Sequence, residues 1–309
     1  MLHPNPLMLL RIAQADAYAM ATEYIKNPRD DAVLEAALKF EQYVKHPTHS
    51  LKAGSYTDDT QMSIGTVEVL LEGPPFTRRK FIEAFVRAFQ RDPRDGYSRA
   101  FQKFLETVKD ADDFEARIRP DSVKNGACMR AVPIGVLEDP KEILEVARAQ
   151  ATATHDTDEG ILSAQMVALM SHFALYSGDG FDRLSDFLHA HLDWKGAKTG
   201  KEMKEWAVGH AGWTPWTDPV NGKTNVAWAT TQAVYTLVAS QNRLLDVLRQ
   251  TIEFGGDTDS VAAIAWGIAS TRMNGAELPE FLEWGLEPGG KYGAGFLREL
   301  GAKLMEKYR

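Results

Sequence analysis

The chain lacks most of the features that would place it outside the ordinary globular class. Its 309 residues include one cysteine, Cys128, so no intrachain disulfide forms, and the chain reads as one suited to a reducing cytosol. No apolar run is long enough to span a bilayer. The N-terminal MLHPNPLMLLRIAQAD holds a four-residue apolar run and then Arg11, too short for the apolar region of a signal peptide. Positive charge is also scarce: 35 Lys and Arg against 43 Asp and Glu leave a formal net charge of −8. That argues against general affinity for nucleic acid or anionic membrane, which needs a basic face. It leaves room for a local basic groove. Biased tracts, a break in composition and repeats of solenoid length are all missing. The chain is therefore read as one domain over residues 1–309, large enough to bury a substantial core.

Period-two strand patterning is nearly absent too, and the β-branched residues are dispersed. What is present is helical spacing. Leu7, Leu10, Ala17 and Met20 mark one helix over 7–25, with Leu34, Leu38 and Phe40 in the next. Similar patterns run through RRKFIEAFVRAFQ, SRAFQKFLETV, PKEILEVARAQAT, EGILSAQMVALMSHFALY, GFDRLSDFLHAHL, NVAWATTQAVYTLVAS, NRLLDVLRQTI and SVAAIAWGIAS. Pro140 stands at a first helical position and Asp179 near another start. Alanines on the packing faces let helix axes approach closely. The expected fold is all-α, an orthogonally packed multi-helix domain. Loops are expected near 45–57, 91–97, 118–126, 153–158, 207–225, 254–258 and 285–294, where glycine and polar residues gather.

Two of these loops end in carboxylate clusters. The first is SYTDDTQMSI, with Thr57, Asp58, Asp59 and Thr60; the second is GGDTDSVAAIAWGI, with Asp257, Asp259 and Ser260 after Gly255 and Gly256. Each opens an apolar helix. A single Asp there is a helix cap. Two are more than a cap uses, and the glycines allow close backbone approach. If the two helix starts meet, four carboxylates share one pocket and must protonate, reach water or bind cations. Two divalent ions would balance four negative charges. The donors are all oxygen, with no Cys or His inside either cluster. That favours Mg²⁺ or Mn²⁺, with Ca²⁺ also open, over Zn²⁺.

YTDDTQMS together with FGGDTDSVAAIAWGI resembles the ADP-ribosylglycohydrolases, the family of the dinitrogenase reductase activating glycohydrolase. Three more segments occur in that family's order. QADAYAMATEYI, giving Asp16 and Glu23, resembles its opening segment; NGACMRAVPIG resembles its Asn-Gly-Ala-x-Met-Arg; ATATHDT, giving Thr154 and His155, resembles its Thr-His segment. The likeness runs from about residue 10 to about 270. The chain departs from the pattern at Ala15 and at Ala19 or Met20, where glycines are usual. Asp156-Thr157-Asp158 stands where a proline is frequent, and Ser260 where threonine is common. The stretch 194–228, with Trp194, Trp206, Trp213, Trp216 and Trp228, has no clear counterpart.

The resemblance implies an enzyme that hydrolyses the glycosidic bond between ADP-ribose and an acceptor. It implies two Mg²⁺ or Mn²⁺ ions held by Thr57, Asp58, Asp59, Asp257, Asp259 and Ser260, so that the bundle carries a dinuclear centre in its middle. Those ions would bind the distal ribose hydroxyls, with Asp58 and Asp259 beside the reacting carbon. Glu23 is the general acid/base or a gating carboxylate, against a solvent-facing glutamate on the first helix. Asp16 and Glu23, seven residues apart, are expected on one face of that helix. Asn125 and Gly126 open a helix facing the diphosphate, or form a plain turn. His155 bonds the diphosphate or a ribose hydroxyl, or lies at the surface; Asp156 and Asp158 cap the helix that starts near Glu159. Cys128 is a core filler. The tryptophans are packing residues, with Trp213 or Trp216 the one to stack on adenine. The partner is an ADP-ribosylated substrate, with protein arginine the leading acceptor and serine, a nucleobase or a small metabolite open. The competing readings are a non-catalytic ADP-ribose-binding relative and a hydrolase of another ribosyl compound.

Overall fold

A computed structural model describes residues 3–25, 31–192, 215–221, 226–273 and 275–309. Among these residues there is no β-strand, only two isolated bridges, Asp121 with His155 and Val220 with Gly256. Among the described residues, fourteen α-helices carry the fold. They are α1 (Met8–Ala19), α2 (Asp31–Ala37), α3 (Asp58–Glu72), α4 (Arg78–Arg91), α5 (Arg99–Thr107), α6 (Ala111–Arg117), α7 (Pro140–Ala151), α8 (Asp158–Tyr176), α9 (Leu184–His191), α10 (Val226–Ser240), α11 (Leu244–Phe254), α12 (Thr258–Ala269), α13 (Phe281–Trp284) and α14 (Ala294–Lys307). The all-α expectation holds, and Pro140 is indeed a first helical residue. No helix among the described residues is long and apolar enough to cross a membrane.

Burial sorts the helices into two kinds. Every residue of α1 except Arg11 is buried, as is α8 from Gly160 to Leu175 and all of α12. Helices apolar on all sides belong in the middle of a domain. α4 and α5 are two-faced: Phe81, Ile82, Phe85 and Phe89 turn inward, while Arg79, Arg87 and Arg91 pair outside with Glu83, Glu72 and Glu68.

Among the described residues the most extensive packing is between α1 and α12. Gly267 permits it, because a Cβ at that position would stand 2.8 Å from Ile12 Cγ1 and 2.9 Å from Val132 Cγ1. Any side chain there would push the axes apart. Trp266 fills the neighbouring space and donates its indole N–H to the Leu244 carbonyl at 2.8 Å. At the far end of the pair, Thr258 Oγ1 donates to the Ala19 carbonyl at 2.8 Å, tying the start of α12 to the end of α1.

α1 is shorter than the periodicity predicts. It stops at Ala19, and a single 3₁₀ turn, Met20–Thr22, follows. Thr22 Oγ1 bonds back to the Ala19 carbonyl at 2.9 Å, competing with helix continuation. Glu23 then leaves in extended conformation, φ −59° and ψ 126°. Asp16 and Glu23 therefore do not share a helix face; the chain turns between them.

Candidate metal centre and cleft

Capping does not account for the doubled acids. Thr57 and Asp257 occupy the cap positions of α3 and α12, and neither side chain accepts a hydrogen bond from its own helix. α3 is capped instead from another element. Asp16, fully buried on α1, accepts the backbone N–H of Thr57 at 3.0 Å and of Thr60 at 3.0 Å. It also accepts the hydroxyls of Thr57 at 2.8 Å and Thr60 at 2.5 Å. That frees Asp58 and Asp59 from capping.

α12 is aimed by its glycines. Gly255 and Gly256 have φ of 70° and 80°, and a Cβ on Gly256 would stand 2.0 Å from the Val220 carbonyl oxygen. Only glycine fits that approach. The Val220 carbonyl then takes the Asp257 N–H at 2.7 Å. Asp257 Oδ2 receives the Tyr24 hydroxyl and the Asn125 amide, each at 3.1 Å.

The two helix starts meet. Carboxylate oxygens of Asp16, Asp59 and Asp259 lie within 4.8 Å of one another, and so do those of Glu23, Asp257 and Asp259. Asp259 belongs to both groups. Asp58 lines the same cavity, about 1190 Å³ in volume, but belongs to neither close group. Ser260 is on the wall; Thr57 is buried behind it, its hydroxyl shared between Asp16 and Asp59.

Among the described residues no Lys or Arg pairs with any of these six acids; the one ion-pair contact is His49 to Glu23, at 3.7 Å. Burial and mutual repulsion raise the pKa values of Asp16, Glu23, Asp58, Asp59 and Asp259. Burial lifts Asp16 to about 6, against the bonds from Thr60 and Thr57. Burial and then the Asp16 charge lift Asp58 to about 7. Glu23 goes to about 9, through burial and then Asp257, Asp58 and Asp16. Asp59 and Asp259 stand well above the usual range, chiefly through burial. Asp59 Oδ1 is buried with no hydrogen-bond partner. An orphaned carboxylate oxygen beside five other acids is a donor set suited to hard divalent cations. The positive ends of α3 and α12 add partial charge of the same sense but far less of it.

The other expected residues are on the same cavity with altered roles. Asn125 and Gly126 do not open an α-helix: Asn125–Ala127 is one 3₁₀ turn. Asn125 donates to Asp257 and, at 3.2 Å, to Thr230 Oγ1. Gly126 makes room for His155, since its Cβ would meet the ring at 2.8 Å. His155 is buried, not on the surface. Arg130 Nη2 donates to Thr154 Oγ1 at 2.7 Å, and that hydroxyl pairs with His155 Nδ1, also at 2.7 Å. With the hydroxyl assigned as the donor, the ring proton is on Nε2. Burial, with Arg130 and Lys124 nearby, holds His155 down to about 3, so it stays a neutral donor. Thr157, not Asp156 or Asp158, caps α8, accepting the Gly160 N–H at 3.1 Å.

Cys128 is fully buried, its thiol pushed up by burial and bonded to the Asn125 carbonyl at 3.1 Å, as a core filler would be. Trp194, Trp206 and Trp213 lie outside the described residues. Trp228 is buried in the core, and the Trp216 indole bonds the Asp218 carbonyl away from the cavity. Phe101 and Phe104 of α5 supply the aromatic wall instead, beside Arg99, Lys103, Arg119 and Lys124. Sequence reasoning missed this wall, the cross-chain cap by Asp16, Tyr24 and two histidines, His46 and His49. The spacing His-Pro-Thr-His just before the first acid cluster was the available signal for the last pair.

The family model for ADP-ribosylglycohydrolase matches residues 8–308. Human ADP-ribosylhydrolase ARH3 is 25% identical over 264 residues, covering 73% of this chain and 72% of the human protein. The Xenopus tropicalis ARH3 is 31% identical over 163 residues, which span 50% of this chain and only 46% of that protein. ADP-ribosylarginine hydrolase Tri1 of Pseudomonas putida (strain GB-1) is 22% identical, covering 89% of this chain and 71% of Tri1. A solved structure described as an ADP-ribosylglycohydrolase-related protein complex superposes with a TM-score of 0.74 at 21% identity, covering 98% of this chain and 97% of that one. That likeness shows the fold. With two acid-led helices converging inside that fold, and a family match running almost from end to end, the chain belongs to the ADP-ribosylglycohydrolase family.

Proposed function

We propose that the chain is a metal-dependent ADP-ribosyl hydrolase of the glycosidase type. It cleaves the bond between C1″ of the distal ribose and an acceptor nitrogen or oxygen. Water supplies the new oxygen on C1″, the acceptor leaves with a proton, and free ADP-ribose is released. The observation that carries this reading is Asp259, shared between the groups Asp16–Asp59–Asp259 and Glu23–Asp257–Asp259. The donor set suits two Mg²⁺ or Mn²⁺ ions, which Asp58, Asp59, Asp257 and Asp259 with Ser260 and Thr57 would hold; when bound they would polarise water and orient ribose hydroxyls. Asp16 acts from behind, fixing the start of α3 by accepting from four donors, the N–H and hydroxyl groups of Thr57 and Thr60.

The protein's own groups supply the rest. Glu23 lines the cavity and is free of the capping network, so its carboxyl can hand a proton to the leaving group or take one from water. Asp58 and Asp259 put negative charge near the reacting carbon, where oxocarbenium character develops. His155 offers its Nε2–H to a phosphate or ribose oxygen. Phe101 and Phe104 offer a flat apolar surface to the adenine. The chain is taken to work in the cytoplasm on an ADP-ribosylated protein, with arginine the leading acceptor because Tri1 is named for it. A non-catalytic ADP-ribose binder is disfavoured by the complete set of six carboxylates, Glu23 included.

The test is release of ADP-ribose from arginine-, serine- and nucleobase-linked substrates with Mg²⁺, with Mn²⁺ and in excess EDTA. Release from the arginine-linked substrate is expected with either metal and none in EDTA. Full turnover by protein shown to be metal-free would sink the metal requirement. Tight ADP-ribose binding without cleavage of any substrate would favour the binder.

A further inference from the structure

Glu23 sits past the end of α1, where helix geometry no longer holds it. The segment is fixed from outside instead. The Tyr24 N–H donates to the Gly256 carbonyl at 2.7 Å. The Glu23 carbonyl accepts from His46 Nε2 at 2.9 Å. Tyr24 has φ of 46°, a left-handed conformation that in a non-glycine residue persists only where surrounding contacts enforce it.

The His46 ring is itself set by its loop. Its Nδ1 accepts the backbone N–H of Thr48 at 3.2 Å and of His49 at 3.0 Å. Two N–H donors on Nδ1 leave the ring proton on Nε2, the atom facing the Glu23 carbonyl. Pro47 starts the turn, and His46 takes the N–H groups two and three residues on, as an Asx side chain does. That turn brings His49 back over His46, rings stacked at 3.7 Å and 30°. His49 Nδ1 then stands 3.7 Å from Glu23 Oε2. His46 is 5% exposed and does not line the cavity, whereas His49 does. A buried histidine with both ring nitrogens bonded, spent on one backbone carbonyl, is more than a surface loop needs.

We infer that His46 and His49 are positioning residues for Glu23, His46 fixing its backbone and His49 walling the side of the cleft that its carboxylate faces. This rests on Glu23 being the acid/base of the proposed reaction. Neither histidine is assigned a chemical step.

The test uses the full chain with Mg²⁺ and the variants His46→Ala, His46→Gln and His49→Ala, each with and without Glu23→Gln. Three quantities are measured: hydrogen exchange of the segment around Tyr24, ADP-ribose binding by calorimetry, and single-turnover cleavage of an ADP-ribosylarginine peptide. His46→Ala should speed exchange at Tyr24 and slow cleavage by about 10–100-fold, as loss of an orienting partner does, with ADP-ribose binding unchanged. His46→Gln, which keeps an N–H donor of similar reach, should restore most of both. His49→Ala should slow cleavage less and leave exchange at Tyr24 as it was. On a Glu23→Gln background, His46→Ala should slow cleavage no further, because the two act as one unit. Should His46→Ala fail to fold, rescue by His46→Gln and the His49→Ala result decide. Slow cleavage by Glu23→Gln with wild-type exchange and cleavage in His46→Ala would overturn this inference alone. Losses that multiply across the two sites would also overturn it. Wild-type cleavage by Glu23→Gln would overturn the role of Glu23, and the inference with it.

Discussion

The α1–α12 pair does opposite things along its length. At one end Ile12 and Val132 meet the bare backbone of Gly267, in a crossing of apolar side chains. At the other, Asp16 meets Asp259 inside a cluster of six acids with no Lys or Arg paired to them among the described residues. The crossing stabilises through close contact and exclusion of water. The acid end is electrostatically unfavourable without cations, and stays assembled because the crossing and the hydroxyl ties of Thr22 and Thr258 hold it. One region lends rigidity to the other, whose carboxylates repel one another in the absence of cations.

Breaking the acid end should have the largest effect. Asp259→Asn removes the carboxylate common to both groups and should abolish measurable turnover while raising the melting temperature of metal-free protein. Glu23→Gln should lower single-turnover cleavage by about 10²–10⁴-fold and leave calorimetric ADP-ribose binding nearly intact. A wild-type rate for Asp259→Asn at limiting metal would remove the metal centre from the argument.

Breaking the apolar end should do the reverse. Gly267→Val overfills the contact with Ile12 and Val132 and should cost about 1–3 kcal/mol of stability, with Mg²⁺ affinity unchanged in the folded fraction. Denaturant titration beside calorimetry measures both. If Mg²⁺ affinity falls as far as stability, the two ends are not separable.

A smaller effect sharpens the contrast through pH. Asp16, Asp58 and Glu23 are raised to about 6, 7 and 9, so the folded metal-free chain holds protons that the unfolded chain has released. Stability from these groups is complete only below the ordinary carboxyl range, about pH 4, and is lost as pH rises from there through the raised values. The melting temperature of metal-free protein should therefore fall between about pH 4 and 9, most steeply at the acid end where all three groups contribute, and the gain from added Mg²⁺ should grow over the same interval, since cations need the deprotonated acids. A metal-free melting temperature that rises with pH would show that the acids are not crowded as described.

Cys128→Ser should change least. The thiol already bonds the Asn125 carbonyl, and a hydroxyl finds the same acceptor, so stability should move by no more than about 1 kcal/mol and cleavage not at all. Loss of turnover on alkylating folded protein at Cys128 would contradict this.

Local pattern was enough for much of this molecule. Apolar spacing is a property of neighbouring residues, so most of the helices and the two acid-led starts at Asp58 and Asp257 were legible, as were Asn125 and His155 through their segments; α6, α13 and α14 were not read from it. Three details lay beyond it. α1 ends at Ala19, where hydroxyls of Thr22 and Thr258 both claim its carbonyl, and one of those comes from the other end of the chain. Asp16 caps α3, a helix it does not belong to. His46 reaches Glu23 only because its loop folds back over the cleft. By itself the sequence determined which segments become helices and which residue types stand at their ends, because those depend on side chains three or four positions apart. Tertiary structure alone decided that six carboxylates would face one another, because hydrogen bonds and repulsions between distant segments exist only once packing has brought them within a few ångströms.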